Sequence, residues 1–201
     1  MKRKTAKKNK WADHYTHKAK KEKYPARSVY KLQEIQNKTR LIGKGNRVLD
    51  LGCAPGSWLI HAAELVGPGG AVVGIDLNPP DVSLPAHARA LTGDLLDMDE
   101  DLKSAVGSGY DVVISDMAPA TSGHKDVDAA RSYNLSEAAL YLALEVLKPG
   151  GAFVCKIFQG PDFEAFIKLV RAHFSKQKNF KPQSSRKASR EIFVIGIGKK
   201  D

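Results

Sequence analysis

The chain has 201 residues, 42% hydrophobic and 27% charged, with a formal net charge of +10. That length and balance suit one globular domain with a tail and exclude a chain too polar to bury a core. No apolar run is long enough to span a membrane, no apolar stretch follows the lysine-rich N-terminus, and two cysteines make no disulfide framework, so a soluble protein of the reducing cytoplasm is expected.

The charge is uneven. Residues 1–31 hold twelve Lys/Arg against only Asp13 and Glu22, with Trp11, Tyr15 and Tyr24 interleaved. Basic residues alternating with aromatics suit a phosphate backbone and stacked bases. Residues 1–24 are therefore read as a partly flexible RNA-binding tail, and 25–201 as the folded domain. A merely solubilising tail is the alternative. An acidic-membrane surface fits less well, because the run has no apolar face. Asp13, His14 and His17 have no further partners in the sequence, and no metal site is expected.

The first 26 residues read as irregular or loosely helical, and helical spacing begins over Ala26–Gln36, where Val29, Leu32 and Ile35 share a face. Strands and helices then alternate. Strands are expected at Arg47–Leu51, Ala71–Ile75, Ala88–Thr92, Tyr110–Ser115, Ala152–Phe158 and Glu191–Ile197. Helices are expected at Ser57–Val66, near Leu95–Val106, over Val127–Leu147 with Lys148-Pro-Gly-Gly151 closing it, and at Asp162–Phe174. From Lys176 to Arg190 the chain reads as a second basic run with six basic residues and no acid.

Such alternation implies a mostly parallel sheet covered on both faces, with ligands outside the carboxyl ends of its strands. Asp50, Asp76, Asp116 and Lys156 all fall late in strands or just after them, on one rim. Lys156 is the odd residue, an ammonium within the apolar run Gly151–Phe158. A lysine in that position is paired, exposed at a strand end, or recruited for chemistry. Three other polar residues stand in comparably apolar or strand-end settings: Lys31, Asp116 and Glu191.

Asp50-Leu-Gly52-Cys-Ala-Pro55-Gly56-Ser-Trp58 leaves the first strand and opens a helix. Gly52 and Gly56 permit a tight turn and close backbone approach, and the helix start offers free N–H donors. Asp76, twenty residues after Gly56, ends the second strand, where a carboxylate can accept two ribose hydroxyls. Asp94, after the third strand, could reach an adenine edge. The loop lacks the Gly-x-Gly-x-x-Gly spacing of a pyrophosphate site, which disfavours a nicotinamide oxidoreductase. A nucleoside without phosphates fits better, and S-adenosylmethionine is such a ligand.

On these residues the chain resembles the FtsJ/RrmJ methyltransferases, which methylate a ribose 2′-hydroxyl of ribosomal RNA. The motifs are Arg27-Ser-Val-Tyr-Lys31-Leu, Asp50 to Trp58, Ser115-Asp-Met-Ala-Pro119 with Ser122-Gly123, Lys156-Ile-Phe-Gln-Gly160 and Ser189-Arg-Glu191. The resemblance covers about Tyr24 to Gly198, and Cys53 stands where an alanine is common in the family. It implies a Rossmann-like S-adenosylmethionine-dependent fold, α/β, with a seven-stranded sheet whose last strand is antiparallel. It implies a catalytic tetrad of Lys31, Asp116, Lys156 and Glu191, with Lys156 accepting the hydroxyl proton or steering the oxygen. It places cofactor contacts at Gly56, Trp58, Asp76, Asp94 and Asp116.

The substrate expected is a ribose, a uridine's, in large-subunit (23S) ribosomal RNA within the subunit, and the protein is expected to be a monomer. Transfer RNA and a messenger cap are alternatives that use the same tetrad. A non-catalytic RNA-binding assembly factor would show a broken tetrad or loop, and both are intact. Cytosine-C5 methylation needs a nucleophilic cysteine near Asp116-Met-Ala-Pro119, and none is there. Base N-methylation would want an aromatic in that loop.

Overall fold

The computed structural model describes residues 10–186 and 188–201. Its elements in chain order are α1 (Lys10–Lys21), α2 (Val29–Thr39), β1 (Arg47–Leu51), α3 (Ser57–Val66), β2 (Ala71–Asp76), β3 (Ala88–Thr92), α4 (Glu100–Val106), β4 (Tyr110–Ser115), α5 (Lys125–Val146), β5 (Leu147–Phe158), α6 (Phe163–His173), β6 (Phe174–Phe180) and β7 (Glu191–Lys199). The strands form one seven-stranded sheet in the order β3-β2-β1-β4-β5-β7-β6. All pairings from β3 to β5 are parallel, and β7 runs antiparallel to both β5 and β6.

The pleat sorts the sheet's side chains into two cores. Leu49, Leu51, Val113, Phe153, Cys155 and Ile157 pack toward α5 and α6, together with Phe166 and Val170. Val48, Val112, Ile114, Val154 and Phe193 pack on the other face with Leu32 of α2 and Trp58 and Leu59 of α3. Lys156 has the parity of Val154, so it lies on the α2/α3 face, while Cys155 belongs to the opposite core.

The crossovers leave β1 and β4 in opposite directions along the sheet, which opens a crevice at their carboxyl ends. Because β7 returns antiparallel, its first residue, Glu191, pairs with Phe158 at the same rim.

Four differences from the sequence expectation exceed shifts of a few residues at element ends. The seventh strand is β6, within the segment read only as a basic run. Between Phe174 and Phe180 its residues are Ser-Lys-Gln-Lys-Asn, an edge strand whose lysines Lys176 and Lys178 are exposed. A charged edge resists pairing with other chains and erases the apolar alternation by which strands are recognised. β5 starts at Leu147 rather than Ala152, since Leu147 pairs with Tyr110 ahead of an irregularity that carries Lys148-Pro-Gly-Gly151 outward. α4 starts at Glu100 rather than near Leu95, capped by the Asp99 carboxylate accepting from Leu102 N at 2.7 Å. α1 is a regular helix, and Ala19 packs with Tyr15 against Val29 and Tyr30 of α2. Residues 1–9, expected to be flexible, lie outside the described residues.

Candidate active site and cofactor cleft

Each tetrad member sits at the end of a different element. Lys31 is in the first turn of α2, Asp116 follows β4, Lys156 is late in β5 and Glu191 opens β7. Lys156 Nζ lies 2.9 Å from Asp116 Oδ1 and also donates to the Asp116 main-chain oxygen. Lys31 Nζ lies 3.3 Å from the same Oδ1 and 3.1 Å from Glu191 Oε2. Asp116 is thus shared between the two lysines, and Glu191 holds Lys31 from the other side. Lys156 is 6% exposed, which is tolerable for an ammonium or amine only with such partners.

Two serines of α5 fix the strand beneath Lys156. Ser136 Oγ donates to Lys156 O at 3.1 Å, and Ser132 Oγ accepts from Phe158 N at 3.0 Å. The Phe193 ring lies 5.7 Å below Lys31 Nζ and stacks on Trp58, with centroids 5.7 Å apart. The tetrad therefore stands on an aromatic floor that keeps water from one side of its charges.

The glycine loop is shaped by its neighbours. Gly52 has φ +77°, and a Cβ there would fall 2.4 Å from Met117 Cγ. Gly56 has φ +113°, and its Cβ would meet Val82 Cγ2 at 2.5 Å. Only glycine lets the loop pass so close to the segments after β4 and β2. Asp76 clamps this turn, Oδ2 accepting from Ala54 N at 3.0 Å and Oδ1 from Asn78 N at 2.9 Å.

A cleft of about 290 Å³ opens above the loop. Gly52, Asp76, Asp94 and Asp116 line it, with Leu77, Leu95 and Met117 as apolar walls. No basic residue is among the described lining residues. Three carboxylates and no cation suit a ribose diol and a positively charged ligand, and repel a pyrophosphate.

Gly56 and Trp58 are not on the cleft wall. The Trp58 indole is buried, and its Nε1 donates to Ser28 O at 2.8 Å. Its neighbour Ser57 accepts from Ala26 N at 2.7 Å and donates to Ala26 O at 3.1 Å. These two residues of the glycine motif hold residues 26–28, the entry to the helix that carries Lys31.

The apolar walls were missed from sequence, although a signal was present. Asp50-Leu51, Asp76-Leu77, Asp94-Leu95 and Asp116-Met117 repeat one pattern, a strand-end acid followed by an apolar residue, and the second residue of each pair lines the cleft. Leu77 is 65% exposed, the most exposed of the large apolar side chains in the described residues, at the mouth of the cleft. Asp50 was also underrated. It is fully buried with neither carboxylate oxygen partnered, and burial, then the charges of Asp116 and Asp76, push its carboxyl well above the usual range.

Neither cysteine is available as a nucleophile. Both are buried, and burial pushes the Cys155 thiol up to about 12 and raises that of Cys53 too.

Residues 24–199 match the family described as FtsJ-like methyltransferase. The chain belongs to that family. It is 63% identical over 194 residues to ribosomal RNA large subunit methyltransferase E of Desulforapulum autotrophicum, an alignment covering 96% of each chain. It is 55% identical to the protein of the same name from Desulfosudis oleivorans, over 100% of this chain and 97% of that one. Among solved structures, a ribosomal RNA methyltransferase from Plasmodium falciparum superposes with a TM-score of 0.74 at 24% identity, covering 88% of this chain and 98% of that one, a likeness of fold.

The FtsJ-like chain is a methyltransferase, and its cofactor is S-adenosylmethionine. The cleft fits that group in kind, since carboxylates of Asp76, Asp94 and Asp116 and apolar walls line it.

Proposed function

We propose that the chain methylates a ribose 2′-hydroxyl of large-subunit ribosomal RNA, with Lys31, Asp116, Lys156 and Glu191 as the residues that act on that hydroxyl. The observation that carries the proposal is the buried Lys156 paired with Asp116, the tetrad residue that lines the nucleoside-type cleft. S-adenosylmethionine supplies, when bound, an activated methyl group and a good leaving group. The protein must then align the hydroxyl and manage one proton.

Lys156 is arranged for that proton. Its donation to Asp116 O and its ion pair with Asp116 Oδ1 at 2.9 Å fix where the nitrogen stands, so that it would receive or steer the 2′-hydroxyl. Lys31, tied to both carboxylates, offers a remaining N–H to the ribose or an adjoining oxygen. The hydroxyl therefore meets donors and acceptors that are already oriented by their ion pairs.

Asp76 and Asp94 would bind the cofactor's ribose and base. Gly52 would let the loop backbone approach the cofactor, with Gly56 and Trp58 supporting the loop from behind. The α1 face and the basic residues ahead of it would hold RNA. A uridine in the assembled large subunit, modified by a cytoplasmic monomer, is the specific substrate proposed. Among the described residues no helix is long and apolar enough to cross a membrane.

Two experiments test this. Incubation with labelled S-adenosylmethionine and either large subunits or free ribosomal RNA should label the subunits, and the label should survive as an alkali-resistant dinucleotide. Label on a base, or on transfer RNA alone, would refute it. Asp76→Ala should weaken cofactor binding at least tenfold by calorimetry, as expected for loss of two charge-assisted hydrogen bonds at about 1.5–3 kcal/mol each. Unchanged affinity would remove Asp76 from the site.

A further inference from the structure

A second cavity, of about 350 Å³, lies on the far side of the tetrad, lined by Arg27, Arg186, Ala188, Ser189 and Glu191. Asp116 lines the cofactor cleft and Glu191 lines this one, while Lys31 bonds to both carboxylates. The tetrad is therefore the partition between two cavities. A group held in one and a group held in the other meet across it.

The cavity's chemistry is that of an anion site. Two guanidiniums face one space, and Arg27 is held below the usual arginine range by burial and then by the charge of Arg186. Neither side chain has a hydrogen bond or ion pair within 4 Å among the described residues. Arg27 is half-buried and Arg186 exposed, and the Glu191 carboxylate in the same lining offsets only part of their repulsion, so a further anion is favoured there.

Both walls are held in place. Residues 26–28 are clamped by Ser57 and Trp58. On the other wall, the Glu34 carboxylate accepts from Gln183 N at 2.6 Å and Ser184 N at 2.9 Å, and Lys181 Nζ donates to Ser189 O at 2.6 Å. Arg27 lies in the turn that leads into α2, four residues ahead of Lys31.

We propose that Arg27 and Arg186 form a phosphodiester subsite that clamps the backbone of the RNA strand next to the ribose being methylated. The proposal rests on the ribose-methylation function above and adds how the strand is registered. A planar guanidinium pair can take one phosphate through several N–H donors, which lysines at the same places would do with less geometric control. With the phosphate fixed on one side and the cofactor on the other, the sugar between them lies over Lys156.

The test uses the full chain and a labelled single-stranded oligoribonucleotide, with binding followed by anisotropy over a range of salt. The double variant Arg27→Gln/Arg186→Gln is compared with Lys103→Gln/Lys168→Gln, which removes the same charge from α4 and α6. The subsite predicts about a tenfold weaker affinity for the first variant and a salt slope shallower by about 0.7, the value for one phosphate on a single strand. It also predicts a raised KM for ribosomal RNA with unchanged cofactor affinity, and partial rescue by Arg27→Lys/Arg186→Lys. The thermal midpoint should hold or rise, because an unpaired like-charge pair is removed.

Equal affinity and slope for the two variants would overturn the subsite. So would a fallen midpoint in the arginine variant, which would make the pair structural. Methyl transfer by the wild-type chain is scored separately. Transfer without the binding effect defeats the subsite alone, and absence of transfer to RNA defeats the ribose-methylation function whatever the binding shows.

Discussion

Asp116 Oδ1 is ion-paired with both lysines of the site, so the two cannot be moved independently. Glu191 touches only Lys31 of the tetrad, and its removal tests that coupling at the residue farthest from Lys156. Glu191→Gln should lower kcat by roughly tenfold to a hundredfold with cofactor affinity unchanged, since it weakens one charge-assisted hydrogen bond. A loss confined to KM for the cofactor would contradict the assignment. Asp50 makes a second prediction at this scale. Its carboxyl is raised in the folded state, so its contribution is most favourable below the ordinary carboxylate range and is lost as pH rises through the folded value. Asp50→Asn, which stays neutral, should therefore gain stability relative to wild type as pH rises from about 4 toward neutrality, with little difference below it. Thermal melts of both proteins across that range decide it, and a gap that widens toward acid would contradict it.

Among the elements, α3 does two tasks. It continues the glycine loop, while Ser57 and Trp58 hold residues 26–28 and so set where α2 begins. Ser57→Ala leaves the Ala26 N–H without its acceptor and should cost about 1–3 kcal/mol in denaturant unfolding. It should also slow methyl transfer, because Lys31 rides on the segment released. Stability lost without any effect on rate would make the clamp purely structural. β1, β2, β4 and the second half of β5 were legible because their apolar runs are buried on both faces, as at Tyr110–Ser115. β6 was not, because a lysine-bearing edge strand looks like a solvated run. The oddity of Lys156 was legible because a lysine has no place in an apolar strand unless it is paired, while its grouping with Lys31, Asp116 and Glu191 came from the family's motifs. The cleft's leucines were not, since an apolar residue after a strand looks like core until the fold turns it outward. The role of the Trp58 side chain also depended on the fold: its place in the motif suggested a cofactor wall, whereas its indole bonds to Ser28.

The whole molecule separates its charges by task. Carboxylates line the cofactor cleft, while the net +10 surplus is carried largely by residues 1–31 and by the segment from Lys176 to Arg190. The segment at 181–190 and the α2 approach meet at the cavity beyond Glu191. A polyanion is thus drawn to one side of the tetrad and excluded from the other by like charge. Salt should weaken RNA binding steeply while leaving cofactor affinity nearly constant, which parallel titrations at rising ionic strength can measure. The most direct test of the central claim is the rate of methyl transfer to large ribosomal subunits by wild type and by Lys156→Ala, with cofactor affinity measured on the same preparations. The predicted result is a loss of about a hundredfold to ten-thousandfold in rate with cofactor binding retained. A variant that binds the cofactor and transfers at the wild-type rate would contradict the account.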